Sequence, residues 1–161
     1  LRGQEGSEPA GATFGLREAD DVKAAVELLR RRPFVDGTKI AVVGVGSGAN
    51  AALIAASRDP NIAAVVAVSP HASIEEVLAS TLGPKQPWLS FLRPLCRWTF
   101  ELAYQVESSE LEVSRYARLS QTRPVLITEP RPITELGFKH TGEICQFLDA
   151  HLPAVGVSSA R

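Results

Sequence analysis

Methionine is missing from all 161 residues, and the chain begins at Leu1. The expectation from that absence is a processed piece or fragment of a longer polypeptide. Cysteine is nearly missing too. Cys96 and Cys145 are too few and too far apart for a disulfide scaffold or a cysteine-based zinc site. Two such thiols fit a reducing interior, so the cytoplasm is the expected compartment. No surplus of charge exists, with 17 Lys+Arg against 18 Asp+Glu, which excludes the basic footprint of a dedicated nucleic-acid binder. No apolar run reaches the roughly 18 residues that a membrane span needs, and the first residues do not read as a signal peptide. Histidine occurs only as His71, His140 and His151, without a carboxylate or cysteine at ligand spacing, so no metal site is expected. What remains is 45% apolar and 22% charged residues, an ordinary globular composition at a length suited to one domain.

The periodicity indicates which kind of domain. Residues 1–14, rich in Gly, Ala, Pro and Ser, read as a surface loop. From Leu16 to Arg32, Val22, Val26 and Leu29 recur at helical spacing with Ala25 in the same stripe. Glu18, Asp20 and Asp21 open that helix and Arg30, Arg31 and Arg32 close it, as the macrodipole favours, and Pro33 stops it. Three short apolar runs without alternation follow: 39–43 (KIAVV), 62–68 (IAAVVAV) and 124–128 (PVLIT). Such runs suit strands buried on both faces of a parallel sheet. A helix pattern over 49–57 separates the first two, and a helix over 141–152 carries Ile144, Phe147, Leu148 and His151 on one side. Apolar strands alternating with helices predict an α/β fold with right-handed crossovers.

Some fifty residues between the second and third strands have a different character. Ile74 to Leu82 reads as a short helix, and residues 88–104 hold both tryptophans with Pro94 interrupting the helical pattern. This stretch, about 71–118, reads as a helical cap insertion in a single domain spanning 1–161. Packing over one edge of the sheet is the plainer role for it, and a substrate-contacting lid the sharper one. Residues 153–161 read as a frayed tail.

The chemistry-bearing segment is 42–53 (VVGVGSGANAAL), at a strand-to-helix corner. A tight corner of this kind can lift a nucleophile above a sheet while the next backbone N–H donates to an oxyanion. It requires small residues two positions before and after the apex, and Gly44 and Gly48 meet that around Gly46. The corner, with 1–7 (LRGQEGS), 32–44 (RPFVDGTKIAVVG), 64–78 (AVVAVSPHASIEEVL), 116–128 (YARLSQTRPVLIT) and 138–142 (FKHTG) in that order, resembles the α/β-hydrolase superfamily, in its serine-aminopeptidase-like and esterase-like branch. The resemblance covers most of residues 1–152. It implies a partial α/β-hydrolase fold of about three parallel strands with flanking helices and a helical cap. It further implies a small ester or peptide as substrate and no cofactor.

The departures bear on activity. An active relative would carry Ser, Cys or Asp at the apex, whereas Gly46 has no side chain to attack a carbonyl. Ser47 beside it is a candidate nucleophile by a one-residue shift, or a former oxyanion-hole N–H, or an N-cap hydroxyl. Where the resemblance calls for an Asp, residues 129–132 read Glu-Pro-Arg-Pro, leaving Glu129 or Glu135 as candidate acid. His140 matches the catalytic histidine, yet only eleven residues separate it from Thr128, too few for the helix and strand this fold normally inserts there. His140 as base and His140 as an exposed residue at the start of the helix both stay open. The strands preceding residues 1–7 have no counterpart, so the first strand is expected to lack a parallel neighbour and expose an apolar edge.

The expected function is an α/β-hydrolase-like protein, weakly active or inactive. Two alternatives stand beside it. One is a non-catalytic module binding a ligand or partner protein through the aromatic cap. The other is a dinucleotide site, because Gly44-x-Gly46-x-x-Ala49 also fits the phosphate-binding fingerprint. That second alternative lacks an acid for the ribose, since the next strand leads into Ser69 and Pro70.

Overall fold

The computed structural model describes residues 11, 13–82, 92–112, 114–116, 122–128 and 139–152. The order of elements is α1 (Glu18–Arg30), β1 (Ile40–Val45), α2 (Ser47–Arg58), β2 (Ile62–Val68), α3 (Ile74–Leu82), α4 (Arg93–Tyr104), β3 (Val125–Thr128) and α5 (Lys139–His151). All three strands are parallel in the order β1-β2-β3, so the expected α/β class and strand count hold among the described residues. The register aligns Val42 with Val65 and Val65 with Val125, stacking β-branched side chains across the sheet.

α2 is the hub. All eight residues from Ala49 to Ala56 are buried, which is how a helix apolar on every side must sit. It packs on β1, β2 and α1, and its five alanines, at 49, 51, 52, 55 and 56, allow close approach. The helix ends at Asp59, whose carboxylate accepts from the Asn61 backbone (2.9 Å) and amide (2.7 Å), turning the chain into β2. Arg123 then donates to the carbonyls of Asp59 (2.9 Å) and Ile62 (2.8 Å), seating the start of β3 beside β2.

The beginning of α1 is built around a buried carboxylate. Glu18 accepts from the Thr13 amide (3.0 Å), the Thr13 hydroxyl (2.5 Å) and the Gly15 amide (2.9 Å), while Thr13 itself is fully buried. The Thr13 Oγ1 in turn accepts from the Arg17 amide at 2.9 Å. Burial by itself would push the Glu18 carboxyl up. The hydroxyl and amide of Thr13, with the Glu18 and Gly15 amides, outweigh it and hold the group below the ordinary glutamate value.

Two expectations change. β1 is not buried on both faces: Val43 is 50% and Val45 48% exposed, because β1 is the edge of the sheet among the described residues. Pro94 does not interrupt α4 but sits in its first turn, where its missing N–H has no intrahelical partner to lose. The cap helices join the core through Ile74, Val77 and Phe100, with Phe100 stacked against Phe14 (5.9 Å) and Tyr104 (5.1 Å). No residue of α4 is buried, however, and Leu95, Trp98 and Leu102 are 53%, 59% and 63% exposed. In α5, Ile144, Phe147 and Leu148 are half-buried as the spacing predicts, whereas His151 is exposed, bonding through Nδ1 with the Phe147 carbonyl (2.8 Å). No helix among the described residues is long and apolar enough to cross a membrane.

Glu18→Gln keeps the shape of the side chain but presents an NH2 group to donors, and is expected to destabilise the fold by about 1–3 kcal/mol. Because the folded carboxyl titrates below its unfolded value of about 4.3, its contribution is complete above that pH. It disappears as pH falls through the lower folded value. Denaturant melts of both proteins from pH 7 to pH 3 should therefore converge at the acid end.

Candidate functional site

The corner after β1 carries the two constraints that make a strand-to-helix elbow. A Cβ added to Gly44 would lie 2.1 Å from the Gly48 carbonyl oxygen and 2.7 Å from the Ala49 nitrogen. Real side chains never come that close to backbone, so only glycine lets β1 and the first turn of α2 touch. Gly46 is the apex, at φ 57° and ψ −122°, a conformation that an L side chain adopts only under strain. Its N–H donates to the Val68 carbonyl (2.9 Å) and its carbonyl accepts from the Ala49 (3.0 Å) and Asn50 (3.3 Å) amides. One residue thus ends the sheet ladder and starts the helix.

Space at the apex is open. Among the described residues, a Cβ on Gly46 would meet nothing within 4 Å. Ser47 is the first residue of α2 and lies off the apex. The N-cap is Gly46, without a side-chain cap bond, so the N-cap role considered for Ser47 is not the one it takes. The Ser47 N–H belongs instead to the first turn of the helix, where N–H groups lack intrahelical acceptors and point along the positive end of the dipole. The size restriction expected at Gly48 also needs correction. Among the described residues, a Cβ on Gly48 would meet nothing within 4 Å, and its part in the contact is its backbone, which Gly44 touches.

A second shell of order surrounds the elbow. Asn50, 2% exposed, donates its Nδ2 to the His71 carbonyl (3.0 Å) and accepts from the His71 amide at Oδ1 (2.8 Å). This amide pair clamps the first turns of α2 to the loop leaving β2. The His71 ring meets Phe14 edge to face at 6.3 Å. Phe14 (φ 54°), Gly15 (φ 113°) and Ser69 (φ 51°) have positive-φ backbones, so with Gly46 four unusual conformations border the region where β1 and β2 end. Strained residues gather at functional edges of α/β sheets, and the strand C-termini are where such folds bind ligands. Sequence reasoning missed the Asn50 clamp. Its only signal was a polar residue inside an otherwise apolar helix.

The remaining candidates are not assembled around the apex by the described residues. His140 is the second residue of α5, inside the helix and not in a loop before it. Glu129, Glu135, Phe138 and the 1–7 segment lie outside the described residues, as does Trp88. No group of three His, Cys, Asp or Glu among the described residues could hold a metal ion.

Comparison with known proteins bears on this geometry. Residues 22–89, under half of the chain and including the whole corner, match the family model described as BAAT / Acyl-CoA thioester hydrolase C terminal. No curated protein matches the sequence. Among solved structures, the esterase Pf2001 of Pyrococcus furiosus is similar at TM-score 0.57 and 19% identity, over 94% of this chain and 68% of that one. The α/β hydrolase GrgF of Penicillium sp. sh18 is similar at TM-score 0.53 and 15% identity, over 94% of this chain and 78% of that one.

Because the two glycines serve different purposes, they should respond differently to substitution. Gly44→Ala forces backbone apart and is expected to cost about 3 kcal/mol or more, or to prevent folding. Gly46→Ser meets no atom of the described residues and carries only the positive-φ penalty, about 1–3 kcal/mol. Thermal melts of the two variants rank them, and equal losses would contradict the steric reading of Gly44. An apex of this conformation between a parallel strand and a buried helix, with solved α/β-hydrolase structures superposing along the chain, shows a partial α/β-hydrolase fold.

Proposed function

We propose that this chain is an α/β-hydrolase-like module that no longer forms an acyl-enzyme. One observation carries the reading: the apex of the elbow is Gly46, in nucleophile-bearing conformation but with no side chain. Acyl transfer needs an atom to attack the carbonyl and a base to take its proton. Ser47, displaced onto the helix, does not occupy that apex, and the described residues bring no base to it. Backbone features of such a site do not depend on the lost side chain. The Ser47 N–H and the α2 dipole remain available to a carbonyl oxygen, so the module retains the polar half of the site without its reactive half.

The matched family name makes acyl thioesters the first substrate class to assay, and the esterase neighbours add simple esters. Binding through the cap is the second reading, supported by the outward stripe of Leu95, Trp98 and Leu102 on α4. A dinucleotide reading has less support, because β2 leads into Ser69 and Pro70 with no acid at its tip.

A fluorophosphonate probe is expected to leave the chain unlabelled, and p-nitrophenyl acetate and an acyl-CoA thioester are expected to turn over no faster than in buffer. Labelling lost on Ser47→Ala would show that the displaced serine is the nucleophile and end this proposal. Labelling of Gly46→Ser alone would show that the elbow lacks only its side chain.

A further inference from the structure

In the turn between α1 and β1, Asp36 is followed by Gly37, and no other aspartate or asparagine of the chain has glycine after it. Oδ1 of Asp36 accepts from the Thr38 amide (3.0 Å) and the Thr38 hydroxyl (2.6 Å), the side-chain turn that aspartate forms with the residue two positions on. That turn closes Oδ1, Cγ, Cβ and Cα of Asp36 and the Gly37 nitrogen into one hydrogen-bonded ring. A single bond from the Gly37 nitrogen to Cγ would complete a five-membered imide inside it. Little opposes that bond. Gly37 has no side chain to obstruct it, its N–H has no acceptor among the described residues, and Asp36 is exposed to water.

We propose that Asp36–Gly37 is a self-modification site, which converts to an isoaspartyl linkage at a rate that Thr38 restrains. The Gly37 nitrogen attacks Cγ and gives up its proton, one carboxyl oxygen leaves as water, and a succinimide remains. Both reacting groups belong to neighbouring residues, so no second molecule has to be brought to them. Water then adds at one of the two carbonyls. Addition at Cγ restores aspartate. Addition at the former main-chain carbonyl routes the backbone through Cβ and leaves the α-carboxylate as the side branch. One water leaves and one enters, so composition and charge are unchanged and no oxidant or cofactor is consumed. Because the oxygen departs as water, the protonated carboxyl is the form that reacts. The Thr38 hydroxyl and amide, with the Lys39 charge, hold the carboxyl below the ordinary aspartate value and keep that form scarce.

Competing positions each lack a requirement. Asp59 precedes Pro60, whose nitrogen has no hydrogen to lose. Asp20, Asp21 and Asp149 lie inside helices, and Asn50 is buried within α2. Asn61 precedes the β-branched Ile62, whose N–H donates to the Asp59 carbonyl (3.4 Å). Conversion at Asp36 has a local consequence. Its main-chain carbonyl, which accepts from the Lys39 amide at 2.9 Å, becomes part of the free carboxylate. The added main-chain carbon enters just before β1, whose register against β2 already shifts between Ile40 and Ala41. The strand takes up the extra length there, and the pairing from Ala41 to the Gly46 corner is kept.

The test is to hold the 161-residue chain for weeks in heavy-oxygen water near neutral pH, then digest it with trypsin in ordinary water for mass spectrometry. The peptide 32–39 is expected to gain one heavy oxygen and to split into two chromatographic peaks of equal mass. Peptides carrying Asp20, Asp59 or Asp149 are expected to gain none. The same residues as a free peptide give the unrestrained rate, and the folded chain is expected to be about threefold to tenfold slower, the effect of one hydrogen bond. Thr38→Val keeps the branched shape without the hydroxyl and should close that gap, while Thr38→Ser should keep the wild-type rate. Gly37→Ala places a Cβ 3.4 Å from the flexible Arg30 side chain, an ordinary contact, and is expected to remove the second peak without changing the thermal melt. No heavy oxygen in 32–39 of the folded chain, under conditions where the free peptide converts, would overturn the proposal. A folded Thr38→Val variant that converts no faster than wild type would overturn the part assigned to Thr38.

Discussion

The contact between Gly44 and the backbone of Gly48 is the constraint on which the rest of the structure hangs. Moving β1 away from α2 by the width of one methyl group would tilt the helix off the sheet. The close approach is what lets a helix with small residues at 49, 51, 52 and 55 bury every side from Ala49 to Ala56. Small side chains give α2 little area of their own, roughly 25 cal/mol per Å2 of apolar surface, so its stability depends on proximity to larger neighbours. Leu53, Ile54, Ile62 and Val65 supply that area, and each is within 1% of complete burial.

Polar groups then fix what packing leaves free. An alanine-rich helix on a smooth aliphatic sheet has few knobs to set its rotation or its register. Asn50 supplies the missing specification with two hydrogen bonds to one peptide at His71, and Glu18 does the same for the start of α1 with three donors from Thr13 and Gly15. Buried amide and carboxylate groups left without partners would cost more than they gain when paired, so each is an orientation device with a penalty for misplacement. Both devices sit where chain segments meet the elbow, and they hold the positive-φ backbones of Phe14, Gly15, Gly46 and Ser69 in place.

How much of this was legible beforehand follows from the range of the interactions. β2 and α3 have the limits their apolar patterns predict, because burial on all sides and a 3.6-residue stripe are local signals. The elbow was legible as glycine spacing at 44, 46 and 48. Pro94 was not, since the same residue breaks a helix interior and starts a helix, and only the position of the first turn decides. The exposure of Val43 and Val45 was legible only through the family resemblance, for a strand's own residues do not say whether it has one neighbour or two. Asn50 and Arg123 act on partners far along the chain, and no short window contains both ends of those bonds.

Gly44 and Gly46 look alike in the sequence and answer to different physics. At Gly44 the demand is steric and belongs to the fold: any side chain collides with the helix. At Gly46 the demand is conformational, and a side chain would pay about 1–3 kcal/mol for the left-handed backbone while touching nothing. A side chain at the apex is therefore a load that the scaffold carries for chemistry alone. Glycine relieves it. A glycine at the apex is therefore compatible with a well-formed corner, and the shape of that corner says nothing by itself about turnover.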